Sequence, residues 1–238
     1  MNNQTSSGDA MHPKDGQHAS VAAAALLSDV MHARGRFHVT HLGPVESQRG
    51  RYIELRDALA VMDTWSLPQR TLTAFKRRAM HRELAAIPLE RKSPDDTFPN
   101  VVTTVGKNDM EDKYLAGSAY TATPRMGLKG TGTAVIGDTQ ASHASWLEQG
   151  LANAPTYTGN RPSPSFSAAS GGVKSTSAAV SFAITSTGTV FGCFINNGGS
   201  ATKDDTTGVL FSAGDFTGGS KAVANADTLN VTYSLTLT

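Results

Sequence analysis

The last twelve residues, DTLNVTYSLTLT (227–238), alternate apolar and polar side chains without a break. The apolar positions are Leu229, Val231, Tyr233, Leu235 and Leu237. Successive side chains of a strand point to opposite faces, so this pattern predicts a strand with one apolar face. Ordering each backbone residue costs about 1–2 kcal/mol, whereas each apolar side chain returns about 1.5–3 kcal/mol only when it is covered. We therefore expect this strand between two neighbours, with its apolar face against an opposing sheet.

Short strands separated by Gly, Asn, Asp and Thr turns precede the terminal strand. They are VVTTV from residue 101, a stretch around 120–128, VSFAIT from 180, TVFGCFI from 189 and GVLFSA from 208. In TVFGCFI the only cysteine, Cys193, shares a predicted strand face with Phe191 and Ile195, which is typical of a buried core position. Several short strands at this spacing predict a mainly β fold, a β-sandwich or jelly-roll body over residues 93–238.

A helical period interrupts this β pattern at residues 50–92. Tyr52, Leu55, Leu59 and Met62 recur at helical spacing, and Leu72, Phe75, Ala79, Met80, Leu84 and Ile87 do so again. Between the two runs, Ser66 and Gln69 have the spacing of a capping box, and Pro68 falls in the first turn. The pattern predicts a helical hairpin, inserted in the β body or N-terminal to it.

The first 49 residues predict two further segments. Residues 1–34 are polar and then alanine-rich, which favours an extended arm with a short helix. Residues 35–49 contain the alternating RFHVTHL and the turn pair Gly43 and Pro44, which predict the first strand of the β domain. The apolar run at 21–27 is only seven residues long, so we expect neither a signal peptide nor a membrane partner.

Charge is nearly balanced along the chain, at a formal net +1. Residues 1–100 carry 13 Lys and Arg against 11 Asp and Glu, and the remainder carries 8 against 9. A nucleic-acid-binding domain needs a clustered positive field, so no nucleic-acid partner is expected. The second predicted helix is the exception, with a basic side formed by Arg70, Lys76, Arg77, Arg78 and Arg82. That side is either a solvated helix face or a contact for an acidic partner.

Residues that could perform chemistry lack a catalytic or metal-binding pattern. His38 and His41 point to opposite faces of a strand, so they would not share a metal. Asp138, Ser142 and His143 lie close in sequence, but no nucleophile elbow accompanies them. Asp204 and Asp205 fall in a loop without the alternating acidic pattern of an EF-hand. No phosphate-binding loop, dinucleotide-binding glycine pattern or zinc motif occurs. The sequence predicts a protein that is not an enzyme and has no cofactor or metal.

Several motifs together resemble a group of small virion structural proteins of tailed bacteriophages. They are GRFHVTHLGP (35–44), DTFPNVVTTVGKN (96–108), YLAGSAYT (114–121), MGL (126–128), GDTQASHASWLE (137–148), TTGVLFSAGDFTGG (206–219) and the terminal DTLNVTYSLTLT. The resemblance covers the first strand and about residues 95–238. The helical insertion at 50–92 and an N-terminal extension of about 30 residues depart from the family pattern.

The resemblance implies a β-sandwich virion protein that acts by contact. The first interpretation is a capsid decoration, or cement, protein that assembles in the host bacterial cytoplasm, binds the major capsid protein and forms a homo-oligomer. A second interpretation is a tail or tail-fibre-attachment component, with tail proteins as partners. A third is a module that binds or hydrolyses cell-surface glycans.

Overall fold

Strands account for most of the regular structure. The computed structural model describes residues 32–66, 69, 73–115 and 122–238. Three α-helices lie in these ranges, α1 (Arg49–Asp63), α2 (Ala74–Ala86) and α3 (Thr104–Leu115), and a short 3-10 helix at Glu46–Gln48 precedes α1. The strands are β1 (Ala33–Pro44), β2 (Leu89–Arg91), β3 (Asp96–Val102), β4 (Pro124–Lys129), β5 (Glu148–Gln149), β6 (Val173–Ser175), β7 (Val180–Ala183), β8 (Gly188–Val190), β9 (Gly192–Asn197), β10 (Val209–Asp215), β11 (Lys221–Val223) and β12 (Thr228–Leu237). The prediction of a mainly β chain is confirmed.

Ten of these strands form one antiparallel sheet. Its order is β5-β4-β9-β10-β3-β1-β12-β6, with β2 paired to β1 and β7 paired to β12. Strands β8 and β11 pair separately. Residues Ala33–Thr238 form one compact unit. Of the predicted arm at residues 1–34, residues 1–31 lie outside the described residues.

The terminal strand β12 has neighbours on both sides. It pairs with β1 in an unbroken register from Thr228 to Leu237, and its other edge pairs with β7 and then β6. Its apolar face is buried at Leu229, Val231 and Tyr233 and half-buried at Leu235 and Leu237. The inward side chains therefore fall at every second position along the well-packed part of the strand.

The main core forms because the large sheet curls. Val231 of β12 and Leu128 of β4 belong to the same buried cluster, although these strands lie near opposite ends of the sheet order. Strands so far apart can share a core only if the sheet bends round to bring their inner faces together. Val190 of β8 and Val223 of β11 add to this cluster. The face opposing β12 thus comes largely from the same sheet, with the β8–β11 pair contributing.

The predicted strand TVFGCFI is interrupted at Phe191, which corrects the placement of Phe191 on one strand face with Cys193 and Ile195. Phe191 lies between β8 and β9 and is half-buried, whereas Cys193 and Ile195 are buried in the main core. The Phe191 amide donates to the carbonyl of Lys129, and its carbonyl accepts from the amide of Phe216. The strand breaks here because β8 turns away to pair with β11, while β9 stays between β4 and β10.

Helix α3 takes the place of the second half of the predicted strand VVTTV. The Thr103 Oγ1 accepts a hydrogen bond from the Gly106 amide at 3.0 Å, which caps the first turn. A Cβ at Gly106 would lie 2.4 Å from the carbonyl oxygen of Phe211, so glycine permits α3 to approach β10 closely. This tertiary contact and the cap override the strand preference of the threonines and valine.

Candidate functional site

The helical hairpin is attached to the sheet at the start of α1. The Arg49 Nη1 donates to the Asp227 Oδ1 at 2.9 Å and to the carbonyl of Asn225 at 2.7 Å. The Asp227 Oδ2 also lies 3.0 Å from the Nε2 of His41 on β1. One carboxylate therefore connects β1, the turn before β12 and the first turn of α1. Arg56, two turns further along α1, donates to the Asn225 side chain at 3.0 Å.

Asp227 is 3% exposed, and its charge is well compensated. Burial raises the pKa of the Asp227 carboxyl, whereas hydrogen bonds from His41, the Ala224 amide and Arg49 lower it. The hydrogen bonds together have the larger effect, so the pKa of Asp227 lies below its ordinary value. A depressed folded-state pKa stabilises the fold above the unfolded pKa of about 3.9. That stabilisation is lost as the pH falls through the folded value.

We expect Asp227→Asn to lower the free energy of unfolding by about 2–3 kcal/mol at pH 7, because it removes charge-assisted hydrogen bonds from a buried position. Urea unfolding at pH 7 and pH 3 measures the effect. The wild type should lose more stability between these pH values than the variant does. Asp112→Asn, at an exposed position on α3, is the matched control and should behave as the wild type. Equal pH dependence of wild type and Asp227→Asn would contradict the assigned role.

The two helices of the hairpin differ in how much surface they bury. Helix α1 buries Leu55, Leu59 and Met62, which agrees with its apolar period, whereas α2 has no buried residue. Among the described residues, two ion pairs link the helices. The Arg51 Nε lies 2.7 Å from the Glu83 Oε1, and Arg77 pairs with Asp63. The hydrogen bond from Arg51 lowers the pKa of Glu83 below its ordinary value.

The outer side of α2 is aromatic and basic. Its half-buried residues Arg77, Met80 and Leu84 share one side of the helix. Phe75 lies two positions before Arg77, about half a turn away, and is 82% exposed. The expectation that Phe75 packs with the helical period is therefore wrong, because the period of α2 places it opposite the side that is partly covered.

Three exposed cations accompany Phe75, and we call Phe75, Lys76, Arg78 and Arg82 the basic face of α2. Arg78 and Arg82 follow Phe75 at i+3 and i+7, so the three form a stripe, which Lys76 flanks. In the described part of the chain Lys76, Arg78 and Arg82 take part in no ion pair. Of the predicted contact residues, Arg77 is instead paired with Asp63, and Arg70 lies outside the described residues.

The segment GDTQASHASWLE forms a loop held by its own polar groups. The Asp138 Oδ2 accepts from the Trp146 indole and from the Val135 amide, each at 2.9 Å. The Nδ1 of His143 bonds the Trp146 carbonyl at 2.9 Å, and the two rings stack at 3.9 Å. The Ser145 hydroxyl donates to the Thr133 carbonyl. Asp138 and His143 thus position Trp146, and none of the contacts described in this loop links a serine, a histidine and an aspartate in series.

The remaining residues considered for chemistry are separated in the fold. His38 bonds Thr97 at the sheet surface, whereas His41 is buried against Asp227. Burial raises the pKa of the Cys193 thiol, which disfavours the thiolate.

A buried ion pair is one of the features that sequence reasoning missed. The Arg161 Nε and Nη2 donate to the two carboxylate oxygens of Glu148, and both residues are buried. Arg161 also donates to the carbonyls of Ser200 and Asp205. Burial raises the pKa of Glu148, and Arg161 offsets only part of this effect. No periodicity indicates the pair, because Arg161 lies in an irregular segment thirteen residues from its partner.

Neither a metal site nor a membrane span is found in the described ranges. Nowhere in them do three or more His, Cys, Asp or Glu side chains converge as metal ligands. None of the three described helices combines the length and apolar composition that a membrane span needs. Comparison with protein-family models, with curated proteins and with solved structures gives no match.

Proposed function

We propose that the chain is a non-enzymatic structural protein of a tailed-bacteriophage virion, and more narrowly a capsid decoration protein that bridges neighbouring major capsid subunits. The observation that carries this proposal is the basic face of α2, an exposed aromatic and cationic stripe on a hairpin that is anchored to the sheet through Asp227. A surface of this composition suits binding by contact, because aromatic and arginine side chains are enriched at protein interfaces.

The position of the bacteriophage-like motifs supports separate roles for the sheet and the helical hairpin. FPNVV lies in β3, VLFSAGD in β10 and most of the terminal motif in β12, so these motifs fall on strands that build the sheet, whereas GDTQASHASWLE is mostly a loop. The helical hairpin is the part of the chain that departs from the family pattern. We propose that the curled sheet is the sandwich or jelly-roll body shared with such proteins, and that the hairpin adapts this member to its neighbour.

The positive charge of the basic face indicates a partner with an acidic surface. The three cations of the basic face, which form no ion pair among the described residues, attract an acidic surface and speed the encounter with it. A stable contact buries on the order of 800 Å² on each partner, which is more than one helix stripe supplies. Repetition by capsid symmetry and contacts between copies of this chain would supply the remainder through avidity.

Addition of purified protein to particles that lack it tests the proposal. We expect the wild type to bind at on the order of hundreds of copies per particle, as capsid symmetry requires. The variant Lys76→Glu/Arg78→Glu/Arg82→Glu should bind at least about tenfold less at the same concentration, because like charges then face the acidic partner. Quantified gels of sedimented particles give the copy number.

The matched control has the same change in net charge on the sheet. Arg34→Glu/Arg36→Glu/Lys174→Glu alters exposed positions of β1 and β6 and should bind as the wild type does. Equal loss by both variants would show that only net charge matters. Saturation at roughly a dozen copies would favour the tail component instead, because tail symmetry is of lower order. Absence of binding to any particle would refute the virion role.

A further inference from the structure

An apolar pocket of about 200 Å³ opens at one end of the curled sheet. It lies where β4 and β10 begin and β9 and β12 end, and the segment between β5 and β6 contributes one side through Phe166. The mouth of a barrel-like sheet is a common place for a binding pocket. Its apolar lining consists of Ala122, Pro124, Phe166, Ile195, Phe211, Tyr233 and Leu235.

One aromatic side chain matches the size of this pocket. A cavity of about 150 Å³ holds a benzene ring, so the pocket has room for the ring of a tyrosine or a phenylalanine. The polar residues of the lining are Asn197 and Lys174. The Asn197 side chain accepts from the Thr123 amide at 3.1 Å and donates to Asp109 at 3.0 Å, whereas Lys174 is exposed. The pocket therefore suits an aromatic side chain that has an acidic neighbour.

The second half of α3 projects beside this pocket and carries an exposed aromatic ring. Asp109 on α3 accepts the hydrogen bond from Asn197 of the pocket lining, which places the helix at the rim. Residues 111–114 are all exposed. Four successive residues span more than one turn, so this described part of α3 is covered on no side. Tyr114 is 85% exposed, and a ring so accessible can anchor another molecule.

The charges beside the ring and beside the pocket are opposite. Glu111 precedes Tyr114 by three residues and therefore lies on the same side of α3. Neither Glu111 nor Lys174 at the pocket rim forms an ion pair among the described residues. Phe75, the exposed ring of α2, is accompanied by cations, which Lys174 would repel. These rim charges are exposed, so they select Tyr114 during the approach of a partner and add little to the final affinity.

We propose that two copies of this chain form a two-fold symmetric dimer in which Tyr114 of each copy occupies the apolar pocket of the other. The contact can be made twice because the ring and the pocket lie side by side on one surface, as a two-fold interface requires. One ring covers about 150–250 Å², and one ring and one pocket per copy stay below the roughly 800 Å² of a stable complex, so the dimer should dissociate on dilution. The proposal rests on the contacts between copies that the proposed function includes. It is tested on the isolated protein, so a monomer and a failure to bind particles are separate results.

Sedimentation velocity of the isolated protein over a concentration series tests the dimer. We expect the wild type to change from monomer to dimer as its concentration rises. Tyr114→Ala should raise the dissociation constant at least about tenfold, because an aromatic anchor is lost at both contacts. Tyr114→Phe should dimerise as the wild type does, because the pocket is open on one side and leaves the hydroxyl in solvent. Both variants should fold, since residue 114 is exposed.

Backbone-amide NMR of isotope-labelled Tyr114→Ala locates the contact. This variant keeps the pocket but lacks the ring, so unlabelled wild type should shift its amides at Phe166, Lys174 and Leu235. Unlabelled Tyr114→Ala should leave these amides unchanged, because neither copy then supplies a ring. Unlabelled Phe75→Ala, which lacks the exposed ring of α2, is the matched control and should shift them as the wild type does.

Four outcomes would overturn the proposal. The wild type could remain a monomer while free p-cresol shifts the pocket amides, which would assign the pocket to a small aromatic molecule. Tyr114→Ala could dimerise as strongly as the wild type. Phe75→Ala could be the variant that fails to dimerise, which would place the interface on α2. Tyr114→Phe could lose as much affinity as Tyr114→Ala, which would show that burial of the ring does not hold the dimer.

Discussion

Replacing Val231 with aspartate is expected to abolish soluble folding. Val231 is fully buried at the centre of β12, paired with Val39 of β1 on one side and Val180 of β7 on the other. A carboxyl group there would be ionised without a partner or protonated at a cost, and either state destabilises the fold by more than about 4 kcal/mol. The free energy of unfolding of a domain is about 5–15 kcal/mol, so little stability would remain.

Thr232→Asp is the matched control for this change. Thr232 is the next residue of the same strand, half-buried on the opposite face and paired with His38. We expect it to cost about 1 kcal/mol or less, as surface substitutions do. Soluble yield and far-UV circular dichroism compare the two variants. If both fold equally well, the assignment of the inward face of β12 is wrong.

Arg161→Met is expected to destabilise the fold by about 3–5 kcal/mol at pH 7, because it leaves the Glu148 carboxylate buried and uncompensated. Methionine fills much of the arginine volume, so the main loss is electrostatic and not a cavity. Denaturant unfolding measures the change. The double variant Glu148→Gln/Arg161→Met should be more stable than Arg161→Met alone, because no buried charge remains.

The pH dependence of Arg161→Met has a definite sign. Burial raises the pKa of Glu148, and removal of Arg161 raises it further. A carboxyl with a raised folded-state pKa binds its proton in the folded protein first, so stability increases as the pH falls from the folded value towards the unfolded value of about 4.3. The deficit of the variant should therefore be smaller at pH 5 than at pH 7. A deficit independent of pH would show that Arg161 acts by packing.

The sequence alone predicted the strands and helices whose periodic pattern matches their burial. The alternation of residues 229–233 in β12 and the helical period of Leu55, Leu59 and Met62 in α1 each correspond to one buried face. Predictions were wrong where a contact elsewhere in the chain decided the local structure. Phe191 is a break in a strand because β8 turns to β11, and Thr104 begins a helix because Gly106 fits against Phe211.

The candidate site was only partly predictable. The sequence predicted the basic side of the second helix. The pairing of Arg77 with Asp63 and the exposure of Phe75 depend on which side of α2 packs against the rest of the molecule. The cleft lined by Gln140, Asp204 and Asp205 was not predicted, because Asp204 and Asp205 lie more than sixty positions after Gln140 in the chain.

The amino-acid sequence by itself determined the mainly β character, the hairpin and the inward face of β12. The spacing of apolar residues along each element is a local property, and it decides which face of that element can be buried. Only the tertiary structure decided that the sheet curls round to cover itself, that Asp227 anchors the hairpin and that Glu148 meets Arg161. These features join residues far apart in the chain, and the free energy that selects them arises only when the whole sheet closes over its core.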